Sequence, residues 1–224
     1  MIELNFKEFL KHINLGDFDH YQQPKSLEIQ EDLLVVCGPL SEEVEPLYNI
    51  VMNNILEGHI ISIGEWLGLS TITQALALKE RYKEPKYKIY SIDPHDREHS
   101  IASDGLETWF ASCPFDMSEK FLENIKKWEV EDYVEYHRCF SYHFSKHVEN
   151  VAMLFIDSDH RYPSIIKELT KFVPMLKKDG LLVMHDRSLV MNAFDDYNKE
   201  RNNLLLIPNT EIDHLNRLII AKKL

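Results

Sequence analysis

Six consecutive apolar residues, Val151–Ile156 (VAMLFI), run straight into an acid, Asp157, and a segment with helical spacing follows. A run this short and this apolar reads as a strand buried on both faces. A strand with one wet face would alternate, and a buried helix would need more length. Burial on both faces requires helices above and below the sheet, and so a largely parallel sheet with helical crossovers.

The rest of the chain repeats that alternation. HIISI (59 to 63) reads as a strand and residues 70 to 82 as a helix with Ile72, Ala75, Leu76 and Leu78 apolar. YKIYSI (87 to 92) reads as a second strand, 117 to 128 as a helix, 133 to 139 as a strand and 141 to 149 as a short helix. After VAMLFI, the residues Tyr162, Ile165, Ile166, Leu169, Phe172, Val173 and Leu176 share one helical face, closed by Asp179-Gly180. LLVMH follows as a strand, then a helix near 190 to 201 and strands near 203 to 207 and 216 to 222. About eight residues join those last two strands, too few for a parallel crossover, so they pair antiparallel. Helices near 6 to 13 and from Ser41 precede the alternation.

Charge narrows the function. The 224 residues carry a formal net charge of −12, which repels phosphate backbones and anionic membranes, so neither nucleic acid nor a membrane is expected as a partner. The three cysteines, Cys37, Cys113 and Cys139, match no zinc spacing and read as free thiols in a reducing cytoplasm. The N-terminus mixes charges into its apolar residues and reads as neither signal peptide nor membrane span.

In an open parallel sheet, ligands gather at the carboxyl ends of the strands. Four candidate motifs stand there. In IISIGEWLGLSTI (60 to 72), Gly64 lets the chain turn sharply after a strand, Gly68 follows, and Ser70 and Thr71 open a helix whose N-terminus suits an anion. Plain turn chemistry would produce the same pattern. In SIDPHD, Asp93 ends the next strand, 25 residues past Gly68, where an acid can accept both hydroxyls of an adenosine ribose. In LFIDSDHRY, Asp157, Asp159 and His160 arrive together, a combination suited to metal ligation or general base work, although Asp159 also suits a helix cap. In LLVMHDRS, His185 and Asp186 end the neighbouring strand. Parallel strands lie about 5 Å apart, so Asp157 and Asp186 could face one divalent ion, or pair with Arg161 or Arg187 instead.

With these motifs in this order, residues 58 to 187 resemble class I S-adenosylmethionine (SAM)-dependent methyltransferases. The likeness is to the bacterial small-molecule O-methyltransferase group that includes macrolide-sugar and cephalosporin-hydroxylase-like enzymes. The resemblance implies an α/β fold: a Rossmann-like three-layer sandwich whose seven-stranded, mostly parallel sheet ends in an antiparallel C-terminal hairpin. It places Gly64, Glu65, Gly68, Ser70 and Thr71 along the methionine part of SAM, Asp93 on the ribose, Phe140 and Ser141 near the adenine, and Asp157 near the amino group. It makes His160 the catalytic base, assisted by Asp157, and offers Asp157, Asp186 and His185 to Mg²⁺ or another divalent metal. The sequence departs from the group at Ser62, where relatives commonly have an acid, and supplies Glu65 after the glycine instead.

The expected organisation is an N-terminal segment, 1 to 40, acting as a substrate wall or homodimer contact, and a methyltransferase domain, 41 to 224. The insertion 94 to 116 would be a lid over a small-molecule acceptor, with His95, Trp109 and Phe110 lining it. The competing readings are a SAM-binding protein without catalysis, an NAD-dependent Rossmann oxidoreductase and a metal hydrolase built on the Asp157, His160 and Asp186 cluster. The hairpin and a glycine turn that is not G-x-G-x-x-G weigh against the oxidoreductase.

Overall fold

A computed structural model describes residues 5 to 14, 41 to 96, 116 to 208 and 217 to 224. In chain order these form α1 (Phe6–Asn14), α2 (Ser41–Asn49), β1 (His59–Ile63), α3 (Leu69–Tyr82), β2 (Ile89–Ile92) and α4 (Met117–Lys127). They continue with β3 (Val134–His137), β4 (Val151–Ile156), α5 (Tyr162–Phe172), β5 (Leu176–Met184), α6 (Arg187–Arg201), β6 (Leu204–Leu206) and β7 (Ile219–Lys223).

The strands make one seven-stranded sheet in the order β3-β2-β1-β4-β5-β7-β6. The strands from β1 to β5 pair in parallel, and β7 runs antiparallel to both β5 and β6. This is the expected Rossmann-like sandwich with its antiparallel C-terminal hairpin.

Side-chain alternation builds the two outer layers. Ile60, Met153, Phe155, Leu181 and Val183 point into a core shared with α1 to α4. Ile61, Ile63, Leu154, Ile156, Leu182 and Met184 point into a core shared with α5 and α6. Every residue of β4 is buried, as an apolar run flanked by helices on both faces requires. The described part of the N-terminal segment belongs to the first core: the Phe6 ring stacks on Tyr48 at 3.6 Å, and Phe9 meets Trp128 edge-on at 4.7 Å. The remainder of that segment, 1 to 4 and 15 to 40, lies outside the described residues.

Two local expectations need correction. Residues 141 to 149 form only a short 3-10 turn, Ser141–His143, and Phe144 is extended. Phe144 and Val148 share the second core, so their four-residue spacing reflects two core anchors on an irregular segment and not a helical face. The helix before β5 ends at Phe172, not at Asp179-Gly180. Pro174 lies in the 3-10 turn that follows it, and a proline cannot continue a helical ladder. Asp179 and Gly180 fall inside β5, where its register on β4 shifts from Val151↔Leu176 to Met153↔Leu181.

Candidate functional site

Backbone hydrogen bonds carry the ladder past the strand ends and align the first residue beyond each strand. Gly64 N–H donates to the Ile92 carbonyl at 3.0 Å, Asp157 N–H to Ile63 at 2.8 Å, and His185 N–H to Ile156 at 2.9 Å. Gly64, Asp93, Asp157 and His185 therefore stand side by side on one edge. At Gly64, with φ +85°, a Cβ would lie 2.1 Å from the Asp157 carbonyl oxygen, so only glycine lets the ends of β1 and β4 approach this closely. Gly68, with φ +98°, precedes α3 as its N-cap.

Asp93 grips the glycine turn. Its Oδ2 accepts from the Glu65 and Trp66 N–H groups at 2.8 and 3.0 Å, and Oδ1 accepts from His95 N–H at 2.7 Å. A carboxylate has about four lone-pair positions and three are taken, so room for one ribose hydroxyl remains rather than for both.

Glu65 is 2% exposed and its Oε2 accepts from the Thr71 hydroxyl. Burial pushes its carboxyl up to about 8, and the negative charges of Asp93 and Asp157 add to this against hydrogen bonds from Ser62 and Ser70. Thr71 is fully buried with its hydroxyl committed to Glu65, so it supports the turn from beneath. Ser70 is half-buried at the start of α3. Ser62 is fully buried, and its hydroxyl accepts from Gln74 Nε2 at 3.1 Å. The acid missing at Ser62 is thus supplied to the same neighbourhood from Glu65.

Beyond β2 and β3 opens a cavity of about 510 Å³, lined by Pro94, His95, Asp116, Arg138, Phe140 and His143 among others. Phe140 contributes a half-buried ring at its wall, and the Ser141 hydroxyl turns away to donate to Glu168 at 2.7 Å. His95 is 4% exposed and both ring nitrogens meet protein oxygens, Tyr136 Oη at 2.5 Å and the Trp66 carbonyl. It can offer an acceptor a wall but no hydrogen bond. Trp109 and Phe110 lie outside the described residues.

The ends of β4 and β5 bring Asp157, His160, His185 and Asp186 together. His185 Nδ1 lies 3.0 Å from Asp157 Oδ1 and 3.5 Å from Asp186 Oδ2. His160 Nε2 lies 3.6 Å from Asp157 Oδ1 and 3.5 Å from Asp186 Oδ2. Burial works against the charge on Asp157 and Asp186, but the histidines beside them outweigh it and hold both carboxyls below the usual range. Burial likewise lowers the His160 imidazole, and the two carboxylates overcome it and leave it raised. Imidazoles poised between carboxylates can accept a proton, and the carboxylates stabilise the resulting cation. Ligand atoms of Asp157, His160 and His185 also fall within 4.8 Å of one another, a spacing suited to one divalent ion.

Asp159 is not part of this cluster. Its carboxylate accepts from Arg161 N–H and from the Ser164 hydroxyl, each at 2.9 Å, and pairs with the Arg161 guanidinium. The residue preceding α5 is Arg161, so Asp159 shapes the entry to that helix from two residues further out.

Sequence reasoning missed Glu168 and Tyr136. Glu168 is 5% exposed on α5 and takes hydroxyl hydrogen bonds from Ser141 at 2.7 Å and Ser158 at 2.6 Å, joining the loops after β3 and β4. The available signal was an acid placed among Ile165, Leu169 and Phe172 on the buried stripe. Tyr136 sat unremarked in a short strand.

Residues 61 to 187 match the model of a family described as a methyltransferase domain. No curated protein matches the chain. Among solved structures it is similar to the O-methyltransferase NovP, with a TM-score of 0.64 and 16% identity over 82% of this chain and 80% of that one. It is also similar to an rRNA methylase from Streptococcus thermophilus, with a TM-score of 0.53 and 12% identity over 84% and 98%. The O-methyltransferase TomG from Streptomyces achromogenes, involved in tomaymycin synthesis, gives 0.52 and 14% over 85% and 82%. At these identities the likeness is one of fold.

Proposed function

The chain belongs to the methyltransferase-domain family as a SAM-dependent methyltransferase, and from that premise we propose that it moves the methyl group of SAM onto a hydroxyl of a small molecule such as a sugar or secondary metabolite. The observation that carries the oxygen acceptor is the quartet Asp157, His160, His185 and Asp186 beside the glycine turn. A hydroxyl, unlike a sulfide or a free amine, needs its proton removed as it attacks.

In this reading Gly64, Glu65, Gly68 and Ser70 receive the methionine end of SAM, Asp93 its ribose, and the cavity at Phe140 its adenine, with Ser141 beside it. The negative charges of Asp93 and Asp157 suit a cationic cofactor. The acceptor oxygen attacks the methyl carbon in line, the carbon–sulfur bond breaks, and S-adenosylhomocysteine leaves with the electron pair on sulfur. The acceptor proton passes to the His160 imidazole, and Asp157 and Asp186, which face its Nε2, stabilise the imidazolium. His160→Ala should lower kcat by about 10²- to 10⁴-fold with SAM affinity retained. Full turnover in that variant would sink the base assignment.

The 4.8 Å donor spacing favours a second version of the same chemistry, in which Asp157, His160 and His185, with Asp186 beside them, hold a divalent ion. Bound there, the ion would polarise the acceptor hydroxyl. Two imidazoles suit Zn²⁺, Fe²⁺ or Ni²⁺ better than the hard Mg²⁺. EDTA should then abolish turnover and Zn²⁺ or Ni²⁺ restore it. Activity indifferent to EDTA removes this version and leaves His160 as base.

A small molecule is favoured over nucleic acid by the net charge of −12. An rRNA methylase shares the fold, so ribosomal RNA belongs in the acceptor screen, and its methylation would overturn the small-molecule reading. Trp109 and Phe110 are assigned to the acceptor wall, and Trp109→Ala should raise acceptor KM more than it lowers kcat. Among the described residues no helix is long and apolar enough to cross a membrane. The half-buried free thiol of Cys139 accords with a reducing cytoplasm. Residues 1 to 40 are proposed as a second substrate wall or a homodimer contact, and deleting 1 to 4 and 15 to 40 in turn, with mass measured in solution, separates the two.

A further inference from the structure

One residue within the cofactor turn and one just beyond β2 share the same costly backbone conformation and meet. Trp66 and His95 both have φ +44°, the left-handed region that bulky side chains avoid. Such residues persist where their surroundings over-determine them, and these cluster at ligand clamps. Here each is held by the other's segment. Trp66 N–H and His95 N–H donate to the two oxygens of Asp93 at 3.0 and 2.7 Å, and the Trp66 carbonyl meets His95 Nε2.

Hydrogen-bond chemistry fixes the direction of this contact. A carbonyl oxygen only accepts, so His95 Nε2 carries the proton. In the neutral ring Nδ1 is then an acceptor, and the Tyr136 hydroxyl donates to it at 2.5 Å. Burial, followed by the charge of Asp93, raises the Tyr136 hydroxyl above its ordinary pKa, so the donor keeps its proton. The His95 ring packs between Phe121 at 5.5 Å and Tyr136 at 5.4 Å and is 4% exposed, so water is poorly placed to replace a lost bond.

We propose that Tyr136 and His95 are positioning residues for cofactor binding: the Tyr136 hydroxyl orients the His95 ring, the ring holds the Trp66 carbonyl, and the turn from Gly64 to Gly68 is thereby fixed against Asp93 in the shape that receives the methyl donor. The inference rests on the SAM reading of that turn. Neither residue touches the reacting atoms. Their loss should appear in cofactor affinity and leave the chemical step alone.

The test is isothermal titration of SAM into the wild-type protein and the variants Tyr136→Phe, His95→Ala and His95→Gly, well below their melting temperatures, with kcat measured at saturating SAM. Tyr136→Phe keeps the ring that packs on Phe121 at 4.9 Å and removes only the donor. It should raise the SAM dissociation constant about tenfold, the effect of one buried hydrogen bond lost, with kcat within about twofold of wild type. His95→Gly relieves the backbone strain without restoring the bond, and should bind SAM as weakly as His95→Ala. Wild-type affinity in Tyr136→Phe or in His95→Gly overturns the inference, and so does a kcat that falls as far as affinity. Absence of SAM binding to the wild-type protein would instead refute the reading on which it stands.

Discussion

At Gly64 a single methyl group would decide whether the site can form. An added Cβ would meet the Asp157 carbonyl oxygen at 2.1 Å, in a backbone region, φ +85°, that other residues rarely adopt. Gly64→Ala should therefore cost on the order of 3 kcal/mol or more, read as a lower denaturant midpoint, with SAM binding lost alongside. The sequence made this glycine legible as a turn, but not the contact that demands its smallness. The nearest neighbour is in fact the end of β4, a contact no spacing rule reveals because it joins residues 93 positions apart. Glu168 gives the second residue-scale prediction. Burial raises its carboxyl from 4.5 to about 7 despite the two serine hydroxyls. Between those values the folded chain holds a proton that the unfolded chain releases, so the contribution to stability is greatest below about 4.5 and is lost as pH rises to about 7. Glu168→Gln lacks this slope. Chemical denaturation between pH 5 and pH 8, about one unit beyond the titration window, should show the variant gaining on wild type as pH rises, then running parallel to it.

Among the elements, α4 shows how local chemistry places part of the site. Asp116 precedes it and accepts from the N–H groups of Ser118 at 2.8 Å and Glu119 at 3.2 Å. The hydrogen bond from the Ser118 side chain, then those from the backbone, draw the Asp116 carboxyl down to about 2. Asp116→Ala should cost about 1 kcal/mol of unfolding free energy, and the wild-type advantage should fade as pH falls from about 4 towards 2. Arg138 meets the same cap, 3.5 Å from Asp116, so the start of α4 is tied to the end of β3. The strands and long helices were legible because burial on one face or two leaves a period in the sequence. Residues 141 to 149 were not, because Phe144 and Val148 imitate a helical step while anchoring an irregular chain. The end of α5 was misplaced for a related reason: Val173 and Leu176 continue its apolar face on either side of Pro174, past the point where the helix ends.

For the whole molecule, the sheet order β3-β2-β1-β4-β5-β7-β6 lines up the carboxyl ends of β2, β1, β4 and β5. Four motifs at strand ends become neighbours in space, in the order Asp93, Gly64, Asp157, His185. Their place at the strand ends was legible, since polar residues or a glycine closing an apolar run are a local signal; their spatial order was not, because it depends on which strands pair. The pairing of His160 with His185 was not, because two neighbouring strand ends must be aligned before both imidazoles reach the same carboxylates. The central claim is that this edge receives SAM, and calorimetric titration of SAM and, separately, NAD into the purified protein tests it most directly. One SAM per chain, bound at least about tenfold more weakly by Asp93→Ala, with no heat from NAD, is the predicted result. Binding of NAD in place of SAM, or SAM binding indifferent to Asp93→Ala, would contradict it.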